Sequence, residues 1–157
     1  MEADARMTTS DIVLLFAAVF AFYRLGDIWT FQVVLFPLWA KVGREEFPAY
    51  HDAHFRRIFG VVFAPMALSA IGAVLLWFFP PQGTTRWLVG AGIALQAILF
   101  ASLAYWIPLQ LRIQREGNTP ALIRTLVAVH WTRVANITAF AGVILVLLAL
   151  RLARAGA

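Results

Sequence analysis

From Ile58 to Thr85 the chain reads IFGVVFAPMALSAIGAVLLWFFPPQGTT, without one charged side chain. About 20 apolar residues in helical form cross the hydrocarbon core of a bilayer, so this run has residues to spare. Pro65 predicts a local kink, and Pro80-Pro81-Gln82-Gly83 predicts a tight reversal after the helix. Upstream, Pro48 suits the first turn, so the second helix is expected from Pro48 to Phe79.

Working outward, the same pattern recurs on both sides, giving four expected spans at about 12–39, 56–79, 87–111 and 131–150. The first helix, at 1.5 Å per residue, is about 41 Å long and crosses with tilt. Ser10 or Thr9 is expected to cap it. Residues 1–11 are polar and acidic, with Glu2, Asp4 and Asp11 against Arg6. A signal peptide has a positive start and a small-residue cleavage site, so the first run is read as a retained helix. The third helix is expected to fray through Arg112 and Arg115. Gly117-Asn118-Thr119-Pro120 makes the next turn, with Thr119 as N-cap and Pro120 opening the fourth helix.

Composition agrees. Of 157 residues, 62% are hydrophobic and 13% charged, about half the charge of a soluble domain. The apolar residues come in blocks rather than in alternation, which argues against a transmembrane barrel. The expected fold class is therefore all-α, an antiparallel four-helix transmembrane bundle forming one domain over residues 1–157. There is no cysteine, which excludes disulfides and thiolate chemistry. The net charge of +5 is spread over the ends of apolar blocks rather than gathered in a patch, so nucleic acid is excluded as a partner.

Four crossings put both termini on one side. Lys41, Arg44, Arg56, Arg57, Arg112, Arg115, Arg124 and Arg133 fall on the side of the first and third loops, eight in all; Arg6, Arg86, Arg151 and Arg154, four, fall on the other. The positive-inside bias then predicts a multi-pass protein of the inner cell membrane with the long loops cytoplasmic and both termini outside. Trp77 and Trp87 suit the outer interface, and Trp39, Trp106 and Trp131 the inner one.

Polar residues inside membrane spans normally face the bundle interior and find partners. Counted from the terminal ends of the helices, Arg24 lies about 20 Å deep, Asp27 about 24 Å, Gln32 about 31 Å, Asn136 about 21 Å, Arg133 about 25 Å and His130 about 30 Å. Tyr105 and Trp106 fall near 27–28 Å and Gln110 near 34 Å. These residues share one layer. Asp27 is expected to pair with Arg133, Arg24 or both, and Gln32 to reach His130. Two readings of the layer stand side by side: polar glue between helices, or a pocket that opens to the cytoplasmic side and binds a substrate or head group.

His51 and His54 sit three apart, on one helical face, a spacing competent for metal. His130 lies about 9 Å away in depth from His54, which argues against one three-histidine site. The spacings specify no cofactor. Interfacial histidines bonded to backbone, Asp52 or lipid phosphate are the alternative.

The segments QVVLFPLW (32–39), FPAYHDAHFRRI (47–58), IPLQ (107–110) and HWTR (130–133) together resemble small bacterial four-helix integral membrane proteins, the anthrone-oxygenase-like group. The resemblance covers about residues 10 to 150. It implies a four-helix fold and oxidation of aromatic polyketides without an obvious metal or flavin. Pro108 with Gln110, and His130 with Arg133, match positions of that group, although Gln110 stands where histidine or asparagine is commoner. On this reading His130 moves a proton and Arg133 stabilises an oxyanion. Asp27, Gln32, Gln110 and Asn136 line the pocket, and Tyr105 and Trp106 stack on the substrate. The expected partners are membrane lipid, a hydrophobic small molecule and a second copy of the chain in a homo-oligomer. The rival reading is a non-enzymatic, lipid-binding or accessory membrane protein. A transporter is disfavoured, because one four-helix chain has no room for inverted repeats unless it dimerises.

Overall fold

A computed structural model describes residues 7–155; Glu2, Asp4 and Arg6 of the acidic start lie outside the described residues. Four long helices make up the chain: α1 (Thr9–Trp39), α2 (Phe47–Phe78), α3 (Arg86–Glu116) and α4 (Pro120–Ala155). Each is long and apolar enough to cross a membrane, and no strand occurs among the described residues. The expected all-α bundle is the observed one. α1 packs along α2 and α4, and α3 along the same two, giving a square arrangement with α1 and α3 on a diagonal.

The ends of the helices follow local chemistry. Thr8, rather than Ser10 or Thr9, caps α1: its hydroxyl accepts from the Asp11 N–H while Asp11 accepts from the Thr8 N–H. This reciprocal pair satisfies two donors that the first turn leaves free. Asp11 also binds Arg151 at 2.6 Å, tying α1 to α4 near the chain ends. At the turn after α3, Gly117 takes φ +79°, a conformation that favours glycine. The Asn118 amide donates to the carbonyls of Trp39 and Val42, both at 2.8 Å, so the turn is stitched to the 40–46 loop. Pro120 opens α4, as expected.

Two helices carry a π-helical turn, at Phe31–Leu35 in α1 and Phe59–Phe63 in α2. Each lies just before a proline, Pro37 and Pro65. A proline has no N–H and its ring presses on the carbonyl four residues back, so the hydrogen-bond ladder ahead of it slips. Pro65 deprives the Val61 carbonyl of its usual donor, and the Tyr23 hydroxyl donates to that carbonyl instead at 3.1 Å. In hydrocarbon such a replacement is close to obligatory. The kink expected at Pro65 is thus expressed as a slipped turn, with a side chain of α1 completing it.

The interior divides into layers. At the terminal end, Leu14, Ala17, Ala73, Leu76, Phe140 and Leu147 form a dry core. Gly72 of α2 lies so close to Ala17 that an added Cβ would meet the Ala17 Cα and Cβ at 3.1 Å. At the opposite end, Phe36, Trp39, Phe47, Ile113, Leu122 and Leu126 form a second core. Trp39, expected at the interface, is 1% exposed at the centre of this plug. α2 touches α1 mainly through residues 64–78, while its first part, 47–58, leans on α3. On the side of the 40–46 loop α1 and α2 meet through ring contacts, Trp39 and Phe31 of α1 against Phe47, His51 and His54 of α2.

Replacing Tyr23 by Phe should cost about 1 kcal/mol, read as a lower unfolding midpoint in mixed micelles. In a Pro65→Ala background, where a backbone donor is restored to Val61, the same change should cost less than half as much.

Candidate functional site

Between the two apolar cores, residues of all four helices surround a chamber of about 60 Å³, room for a few water molecules. Its polar wall holds Arg24, Asp27, Gln110, His130 and Arg133, with His54 at one side. Its apolar wall includes Phe31, Phe36, Phe63, Met66 and Trp106.

Each polar group is positioned by a partner. Arg24 and Asp27, three apart on α1, form an ion pair buried to 3% and 11% side-chain exposure. Arg133 on α4 does not bond to Asp27, so of the two partners expected for Asp27 it takes Arg24, within α1. Arg133 instead donates to the Ser102 hydroxyl at 2.5 Å, and Ser102 donates onward to the Leu99 carbonyl. The guanidinium also lies 5.1 Å from the centre of the Trp106 ring, a favourable cation–π geometry.

His130 is 2% exposed, and its Nδ1 lies 2.7 Å from Gln32 Oε1. The Gln32 amide is oriented by its own N–H, which donates to the Val127 carbonyl at 3.1 Å. Its oxygen must then accept, so Nδ1 of His130 carries the proton and Nε2 keeps its lone pair. Gln32 itself does not line the chamber; it sets the tautomer of the residue that does. The π turn of α1 contains Gln32, so the slipped ladder and the tautomer are one local construction.

His51 is fully buried among Trp39, Phe47 and Phe55, and lies 3.3 Å from Gln110 Oε1. His54 packs edge-on to Trp39 and Phe31. Among the described residues no three His, Asp or Glu side chains converge as metal ligands, and an aromatic cage around His51 offers a metal ion no carboxylate.

Two expected residues face elsewhere. Tyr105 and Asn136 line a separate surface groove on the α3–α4 side, where the Tyr105 hydroxyl bonds Thr132 at 2.7 Å. Helical geometry explains both. Adjacent residues point about 100° apart, and with Trp106 turned to the chamber Tyr105 falls on the groove side; Asn136, six residues beyond His130, has rotated about 120° away from it. The Trp39–Phe47 plug lies on the loop side of the chamber, with Trp39 forming part of its lining. His54, read from its spacing as a metal-competent residue, instead lines the chamber, while Ser102 and Met66 carried no signal in the sequence: small hydroxyls and methionine inside apolar runs have no distinguishing pattern.

Several buried polar atoms of this wall have no partner: Nε of Arg24, Nε of Arg133, Nε1 of Trp39 and Oδ1 of Asp27. Buried polar groups are nearly always satisfied, and here four unspent groups border one cavity. Comparison of the chain with protein-family models, curated proteins and solved structures finds no match.

¹⁵N NMR of histidine-labelled protein in bilayers should show His130 as the Nδ1–H tautomer. Gln32→Leu should remove that preference and lower stability by about 1 kcal/mol; an Nε2–H signal in the unaltered protein would refute the assignment.

Proposed function

We propose that the chain is a multi-pass protein of the inner cell membrane whose intrabundle chamber binds a hydrophobic small molecule with an acidic oxygen, and that it acts on this molecule as an oxidative enzyme. The observation that carries the reading is the set of unspent hydrogen-bonding groups on the wall of an otherwise apolar chamber. An enclosed apolar site with a few convergent polar groups is the usual form of a small-molecule site.

In this reading Nε2 of His130 accepts the proton of the substrate's hydroxyl or activated C–H. Arg133 then holds the oxyanion that results, its charge undiluted by water in the bundle interior. Trp106, already stacked on Arg133, offers a face to an aromatic ring. Loss of the proton makes an electron-rich anion, the form in which such molecules most readily give up electrons, and the oxidation requires an external acceptor such as dioxygen to take them. The oxidative part of the proposal rests on the resemblance to the anthrone-oxygenase-like group, with His130 and Arg133 at matching positions. The basic-residue count, eight against four, supports loops in the cytoplasm and both termini outside.

One observation favours the rival, a lipid-binding or accessory protein in which the polar layer is structural. The chamber of about 60 Å³ has room for only a few waters, and two of its residues join helices, His130 to Gln32 and Arg133 to Ser102, as Gln96 joins Ser69 elsewhere in the bundle.

Arg133→Met separates the two. The enzyme reading expects a loss of ligand binding of tenfold or more in a co-purification assay, with the melting temperature within a few degrees of the unaltered protein. His130→Ala should lower turnover by about 10²- to 10⁴-fold. Unfolding of both variants, with no small molecule retained by the unaltered protein on gentle extraction, would leave the structural reading.

A further inference from the structure

The chamber shares walls with two lipid-facing grooves, and the walls differ. On the α3–α4 side the partition is Arg133, 5% exposed and fixed by Ser102 and the Trp106 ring. On the α1–α2 side the partition is Phe31, His54 and Ile58, which face the chamber inward and a groove of about 380 Å³ outward. Phe31 and His54 meet edge to face with 6.0 Å between ring centres, and His54 makes no hydrogen bond among the described residues. Both helices run through or beside a π turn here, and their close backbone approach lies further on, along residues 64–78 of α2. This wall is held by side-chain contact alone. Arg57 and Tyr50 stand at the outer rim of its groove.

The charge on the chamber wall has a definite sign. Arg24 and Arg133 are permanently cationic, Asp27 is the one carboxylate lining the chamber, and the histidines can only add positive charge. The unspent atoms lean the same way: three N–H donors, on Arg24, Trp39 and Arg133, against one acceptor on Asp27. An uncompensated charge in a bundle interior is costly, and a single anion would both neutralise the wall and take its donors.

Accepting that the chamber binds a small molecule, we infer that this molecule is a singly charged amphiphile that arrives from the bilayer between α1 and α2. Its oxyanion head lies between Arg24 and Arg133, its apolar body lies in the passage past Phe31, His54 and Ile58, and Arg57 draws the head to the mouth. The small inner volume and the larger outer groove fit a compact head on an extended body. The oxyanion is either a carboxylate or a hydroxyaryl group ionised at His130.

The test uses the full chain in phosphatidylcholine nanodiscs and a hexadecanoate with a mid-chain diazirine. Peptide mapping should place the photolabel on the segments containing Phe31 and Ile58. Unlabelled hexadecanoate, or 1-naphthol, should compete at least tenfold better than its methylated counterpart, and whichever of the two pairs shows this identifies the source of the oxyanion. Ile58→Trp should reduce labelling about fivefold at an unchanged melting temperature. If that variant is unstable, the map in the unaltered protein decides the route. Label concentrated around Tyr105 and Thr132 would overturn the route, and equal competition by charged and methylated forms would overturn the anion. Labelling indifferent to excess of every competitor would instead remove the binding reading on which the inference stands.

Discussion

A guanidinium in the middle of a membrane bundle must be enclosed by protein. Each arginine at a span centre costs about 2.5–3.5 kcal/mol even on the mildest insertion scale, and this chain places two there, Arg24 and Arg133. Their neighbours follow from that expense. Asp27 stands one turn from Arg24, Ser102 is turned inward to meet Arg133, and Trp106 lays its ring against the same group. The polar layer in turn splits the hydrophobic core into separate blocks. A bundle optimised for packing alone would have one continuous core; this one gives up contact area at mid-depth to house two charges.

How much of this was legible depends on which geometric rule applied. Depth counting worked for Gln32 and His130, which came out level and are bonded, but not for Asp27 and Arg133, which came out equally level and are not. Spacing within one helix worked for Arg24 and Asp27. Depth alone failed for Tyr105 and Asn136, because it ignores azimuth; both are at the right level and on the wrong face. Trp39 was misplaced for another reason. Tryptophan near a span end is usually interfacial, but here Phe47 and the 117–119 turn fold over it, and that closure depends on the Asn118 bonds to the facing loop. Long-range stitching of this kind leaves no periodic signature.

The prolines illustrate a middle case. Pro37 and Pro65 announce a disturbance of the helix, and a disturbance is present before each. The sequence does not announce its form. A slipped turn rather than a sharp bend appears because neighbouring side chains can serve the displaced backbone groups, as Tyr23 does for Val61. In α1 the same slip brings Gln32 into the interior, so a backbone irregularity ends up governing which nitrogen of His130 is basic.

The close approach of Gly72 to Ala17 has a mechanical meaning for the whole bundle. Two helices that touch backbone to backbone at one end, and only through side chains at the other, behave like the arms of a clothes peg. The tight point is the fulcrum, and compliance grows with distance from it. Parting of the first two helices is therefore easiest at the far arms, where Phe31, Trp39 and His54 meet by ring contact, while the half nearest the chain ends is held backbone against backbone.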